Sequence, residues 1–74
     1  MSDYNDVQIE EDSIKLGQFL KLANLIESGA EAKPVLADGL VRVNGEVETR
    51  RGRQLTDGDV VAVGPDRGKV ILVR

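Results

Sequence analysis

Asn44-Gly45, set between Val41 and Val43 on one side and Val47 on the other, constrains the fold of this chain more than any other pair of residues. Asparagine and glycine most readily take the positive φ angles of a type I′ turn, so a two-residue hairpin is predicted there. Upstream, Val41 and Val43 alternate with Leu40 and Arg42, the period of a strand covered on one face. Before Gly39 the period is different. Leu16, Phe19, Leu20, Ala23 and Ile26 recur at helical spacing, with Lys15, Lys21 and Asn24 turned to water, which predicts a first helix ending before Ser28-Gly29. Ser28 followed by Glu31 is a capping-box pattern that opens a second, short helix. Ala32, Val35 and Leu36 form its buried side, and Gly39 stops it. By that count Pro34 lies past the first turn, where its missing N–H removes a backbone bond, so a bent or late-starting helix is expected.

Strands are predicted at 40–43, 46–48, 59–63 and 69–73, with turns at Asn44-Gly45, Asp57-Gly58 and 65–68. The expected fold class is α+β, two packed helices followed by a small antiparallel sheet, occupying residues 13–74. Residues 1–12 are expected to form an acidic, largely disordered N-terminal tail, with a short edge strand at 7–10 suggested by the alternation of Val7-Gln8-Ile9.

Composition removes most site chemistry. The 74 residues are enough for one domain with little room for a catalytic cleft. Without cysteine there is no disulfide or thiolate metal site, and without histidine the usual proton shuttle and the commonest nitrogen ligand for metals are missing. No catalytic residue, metal site or cofactor is expected, and Asp57 and Asp59 are read as turn residues around Gly58. No apolar run approaches the roughly 20 residues of a membrane span, and the N-terminus does not read as a secretory signal, so a cytoplasmic protein is expected.

The formal net charge of -3 argues at first against a polyanionic partner. Its distribution argues otherwise. Asp3, Asp6, Glu10, Glu11 and Asp12 place five of the thirteen acids in the first twelve residues with no base among them. From Ser13 onward ten bases stand against eight acids, and three of the bases, Arg50, Arg51 and Arg53, lie within four residues.

Taken together, Ser28, Ala32-Lys33, Leu36, Gly39 and the run from Val41 through Asn44 to Gly45, with the later Gly58-Asp59, resemble the S4 RNA-binding domain. That module occurs in a ribosomal protein, in pseudouridine synthases and in tyrosyl-tRNA synthetase. The likeness covers residues 14–63. The opening at 14–21, the SGAEAK step at 28–33 and the ETRRGR loop at 48–53 are similar to a short bacterial group called YbcJ-like or YaaA-like. Two positions depart from the wider family: Lys15-Leu16-Gly17 stands where many members have arginine-leucine-aspartate, and Gly29 stands where an arginine often follows the serine. The resemblance implies binding of structured RNA, ribosomal RNA or a ribosome-assembly intermediate, by a basic surface of the second helix and the arginine loop.

Physical chemistry supports that reading, because guanidinium forks pair with phosphate oxygens and helix N-termini offer free amides to the same anion. The candidate RNA-binding residues are Lys15, Lys21, Gly29, Lys33, Arg42, Asn44, Arg50, Arg51 and Arg53. Phe19 belongs to the core stripe and Tyr4 to the tail, so base stacking is nearly unavailable and recognition of RNA shape and backbone is expected. Each residue also has a plainer reading. The three loop arginines would pair with Glu46, Glu48 and Asp57, Arg42 would cover apolar surface with its head on Glu48, Lys15 and Lys21 would be solvated, and Asn44 would serve the turn. The acidic tail would aid solubility or mimic RNA. Two other functions compete: a protein-interaction module of the translation machinery, and a ubiquitin-like sulfur carrier. The carrier shares a VNGE hairpin but needs a C-terminal Gly-Gly that this chain, ending Val70-Ile71-Leu72-Val73-Arg74, lacks. Ribosomal particles are possible partners; a membrane or a small-molecule substrate is not expected.

Overall fold

Two short helices and a five-stranded sheet enclose one core, and the chain reaches that arrangement through short, sharply capped elements. The structure is a computed structural model and describes residues 4–72. In chain order, β1 (Tyr4–Ile9) is followed by β2 (Ile14–Lys15), which runs directly into α1 (Leu16–Leu22). A 3₁₀ turn at Gly29–Glu31 leads into α2 (Ala32–Ala37). Then come β3 (Val41–Val43), β4 (Glu46–Val47), β5 (Gln54–Leu55), β6 (Val60–Val63) and β7 (Asp66–Leu72). The main sheet has the order β1-β7-β6-β3-β4, and β2 and β5 form a separate two-stranded ladder.

The α+β class matches the sequence reading, but the sheet is mixed. β4, β3, β6 and β7 are antiparallel neighbours, whereas β1 lies parallel to β7, with Val7 opposite Val70 and Ile9 opposite Leu72. Tyr4, Asn5 and Asp6, expected in a disordered tail, are therefore strand residues, and the edge strand is longer than the 7–10 segment predicted. Burial of Ile9 and partial burial of Val7 against the core supply the free energy that a polar segment alone lacks. Residues 1–3 of that segment lie outside the described residues, as does Val73 of the predicted last strand. β7 begins earlier than predicted, at Asp66, because Gly64 and Pro65 make the turn as a two-residue loop with Gly64 at φ +59°.

The helices also end where local chemistry dictates. Asn24 takes φ +56°, the Leu25 N–H reaches Leu20 O at 3.0 Å and the Asn24 N–H reaches Lys21 O at 3.1 Å, a Schellman stop that ends α1 sooner than the stripe to Ile26 predicts. Ile26 is still buried, from the connection rather than the helix. Gly39, at φ +71°, ends α2 in the same way, with the Leu40 N–H on Val35 O at 3.0 Å. The predicted capping box does not form. Ser28 makes no side-chain cap bond, and the Glu31 carboxylate instead accepts the Glu27 N–H at 3.4 Å. With the 3₁₀ turn in front, α2 starts late, and Pro34 falls in its first turn, where a missing N–H costs no intrahelical bond.

The core lies between the helices and the inner face of the sheet, with Ala32 and Leu36 as the contribution of α2. Leu16, Phe19 and Leu20 are fully buried against Val41, Val43, Leu55, Val61 and Val70. Gly68 permits this contact: a β-carbon there would stand 3.0 Å from Phe19 Cζ and 3.2 Å from Ala23 Cβ. The hairpin is as predicted, with Val43 opposite Glu46 and both Asn44 (φ +52°) and Gly45 (φ +88°) left-handed.

Candidate nucleic-acid interface

The loop from Glu48 to Arg53 is organised by one carboxylate. Glu48 is 7 % exposed, and its N–H continues the hairpin ladder to Val41 O at 2.9 Å. Its Oε2 accepts the N–H groups of Thr49 (2.9 Å) and Arg50 (3.2 Å) and Arg50 Nε (3.3 Å). Its Oε1 accepts Arg50 Nη2 at 3.1 Å and Arg53 Nη1 at 3.2 Å. The side-chain bond from Arg50 is the main cause that holds the Glu48 carboxyl down at about 2, against its ordinary 4.5, with the Arg50 N–H next. The same bond raises Arg50 above the usual guanidinium range. A turn closed by the Arg53 N–H on Arg50 O follows, at 3.4 Å.

This loop is seated on the start of α1. Arg53 O accepts the Leu16 N–H at 2.8 Å and Arg51 O accepts the Gly17 N–H at 3.0 Å, so two amides that a helix start leaves unpaired are satisfied by loop carbonyls. β5 pairing with β2, Leu55 opposite Ile14 and Gln54 opposite Lys15, extends the same seam. The stem of Arg51 passes over Gly17, where a β-carbon would overlap Arg51 Cγ.

Several predicted residues meet at this seam. Lys15, Lys21, Gly29 and Arg51 line one groove, with Gly17 and Gln18, and Lys33, Thr49 and Arg51 line the next. Arg51 is thus common to both. Arg51, Lys15, Lys21 and Lys33 are exposed and enter no salt bridge among the described residues. Arg50 and Arg53 belong to the same loop but are tied to Glu48, as the plainer sequence reading allowed.

Arg42 and Asn44 stand apart from this surface. Arg42 lies on the outer face of the sheet and donates from Nη1 to Gly45 O at 3.4 Å, so the expected pairing with Glu48 does not occur. Asn44 accepts the Val60 N–H at 3.0 Å and donates to Asp59 Oδ1 at 3.1 Å, tying the hairpin to β6. Sequence reasoning missed Gly17 and Glu48 as organisers of the loop. A signal existed for the first, since glycine replaces the aspartate expected after Lys15-Leu16.

A profile of the S4 domain matches residues 7–72. The chain belongs to the S4 domain family. A Bacillus subtilis relative, named probable ribosome maturation protein RlbA, is 51% identical over 59 residues, 80% of this chain and 83% of that protein. The putative RNA-binding protein YbcJ of Escherichia coli is 43% identical over 49 residues, 66% of this chain and 70% of its own length. The solution structure of YbcJ superposes with a TM-score of 0.72 at 33% identity, covering 96% of this chain and 91% of that one. The S4 fold expected from the motifs is therefore the fold of this chain, with β1 and β2 added ahead of the two helices.

Proposed function

We propose that this protein binds structured RNA, ribosomal RNA or a ribosome-assembly intermediate in the cytoplasm, through the seam between α1, α2 and the 48–53 loop. One observation carries the reading: Arg51, held over Gly17 with its charge uncompensated by any described carboxylate, joins the groove of Lys15 and Lys21 to the groove of Lys33. Four cations on one surface suit a phosphate backbone, because a folded RNA offers closely spaced anions along its helices. Arg50 and Arg53 hold the loop through Glu48 while keeping outward donors, and Arg50 remains 75% exposed. The names of the relatives agree with the reading: RlbA is called a probable ribosome maturation protein, and YbcJ is described as having an αL motif involved in RNA binding.

The action is binding without chemistry, and the partner is read by shape, since the chain has only two aromatic residues, Tyr4 and Phe19, and Phe19 is buried in the core. Filter binding of a ribosomal RNA helix across a salt series tests it. Binding should fall steeply with salt, and Arg51→Glu with Lys33→Glu should abolish most of it while circular dichroism and melting stay unchanged. Salt-independent binding, or full affinity in the double variant, would sink the proposal.

A further inference from the structure

The main sheet has a second face that α1 does not cover. On it stand Arg42 of β3, Ala62 of β6 and Arg67 of β7, in one cross-strand row: Arg42 is opposite Ala62, and Ala62 is opposite Arg67. Residues directly opposite in an antiparallel ladder share a face, so the two arginines flank the small alanine at about 10 Å between their Cα atoms, two strand spacings. Both arginines are exposed and neither enters a salt bridge among the described residues. Together with Asn44, Gly45 and Val60 they line a shallow groove floored by Ala62.

The charge on this face has one sign apart from its edge. Lys69 adds a third cation one row along, opposite Val60 on β6 and Asp6 on β1, and Asp6 is the acid facing it from the outer strand. Asp59, at the end of the groove, is occupied: its Oδ1 accepts Asn44 Nδ2 at 3.1 Å and its Oδ2 accepts the Thr56 N–H at 2.8 Å. Arg42 uses one long bond to Gly45 O and keeps its other donors. A protein partner would need large apolar or aromatic anchors at the centre of the patch. The centre here is Ala62 between the guanidinium forks, with a half-buried Val60 one row along, and the exposed Val47 opposite Arg42 stands on the edge strand β4, so the centre suits a phosphate backbone instead.

We propose that the open face of the sheet is a second phosphate-backbone site, where Arg42 and Arg67 straddle Ala62 and hold an RNA segment distinct from the one at the 48–53 loop. The two surfaces are distinct, because α1 packs on the inner face at Gly68 and the loop is bonded to the first amides of α1, whereas Arg42, Ala62 and Arg67 stand on the other face. One protein then joins two RNA segments. The inference rests on the RNA-binding function proposed above and adds a site to it.

Titration of the isotope-labelled full chain with an RNA hairpin, followed by amide NMR, tests it. Shifts are expected in two groups, one around Gly17 and Arg51, the other around Arg42, Ala62 and Arg67. Arg42→Gln with Arg67→Gln should remove the second group alone and lower the slope of log affinity against log salt by about 2, near one per lost phosphate contact. Arg51→Gln should remove the first group and leave the second. If wild-type shifts stay confined to the Gly17 and Arg51 group, or the slope is unchanged in the sheet variant, this inference falls while the function proposed above stands. If the wild-type chain binds no RNA, both fall. The wild-type shift map distinguishes these outcomes even if a variant fails to fold.

Discussion

The aliphatic stem of Arg51 occupies the space that a β-carbon on Gly17 would need, while the Arg51 carbonyl accepts the Gly17 N–H at 3.0 Å. Backbone and side chain of one loop residue thus close over one helix residue, and the loop's free cation is set by the absence of a side chain beneath it. Gly17→Ala gains up to about 1 kcal/mol of helix propensity and loses a similar amount to overlap. Thermal stability should therefore change little, whereas RNA affinity should fall roughly ten- to a hundredfold, the loss expected when a charged hydrogen bond of roughly 1.5–3 kcal/mol is misplaced. Melting and filter binding on the same preparation separate the two effects.

Glu48 draws five hydrogen bonds to one carboxylate. Glu48→Gln keeps the shape but replaces one acceptor oxygen with an amide that faces cationic donors. Stability should drop by about 1–3 kcal/mol, the cost of leaving part of this set unpaired. Urea unfolding gives the number, and faster hydrogen exchange at the Thr49 and Arg50 amides would localise the loss to the loop.

The same carboxyl predicts an acid limb. Its folded value of about 2 lies below the ordinary 4.5, so its contribution is fully present above about pH 4.5 and is lost as pH falls toward 2. The stability difference between wild type and Glu48→Gln should accordingly be constant near neutrality and shrink over that window. A difference that stays flat down to about pH 2.5 would show that the ion pairs with Arg50 and Arg53 contribute nothing through this group.

Asn44 lines the outer groove but carries no charge, so its substitution is predicted to act first on stability. Asn44→Ala puts a residue that lacks asparagine's tolerance of the left-handed region at φ +52° and removes the bonds to Val60 and Asp59, which should cost about 2–3 kcal/mol. Asn44→Gly keeps the turn conformation and should cost less. Neither variant should alter the salt slope of RNA binding, and a reduced slope in Asn44→Gly would place the side chain in the interface after all.

Much of this architecture is legible in the residues themselves, because the signals are local. Asn44-Gly45 makes its turn through its own dihedral preferences, the valines flanking it alternate as a one-sided strand must, and Gly39 stops α2 by a conformation that few other residues accept. The order of these signals also places the chain among S4 domains. What escaped depended on partners distant in sequence: β1 extends back to Tyr4, beyond the predicted 7–10 segment, because β7 lies beside it, Leu25 and Ile26 are buried from the connection after α1 rather than from the helix, and β5 exists to pair with β2.

The candidate site divides in the same way. The sequence by itself determined that the chain has few reactive groups, that its cations cluster around residues 50–53, and that this cluster follows a tight hairpin. Only the tertiary structure decided how those cations are used. Glu48 claims Arg50 and Arg53, Gly17 seats Arg51, and the strand register sends Arg42 to the other side of the sheet. The reason is physical: composition sets how many charges there are, but which of them are neutralised and which face a common partner depends on through-space distances of a few ångström between residues that the chain order keeps far apart.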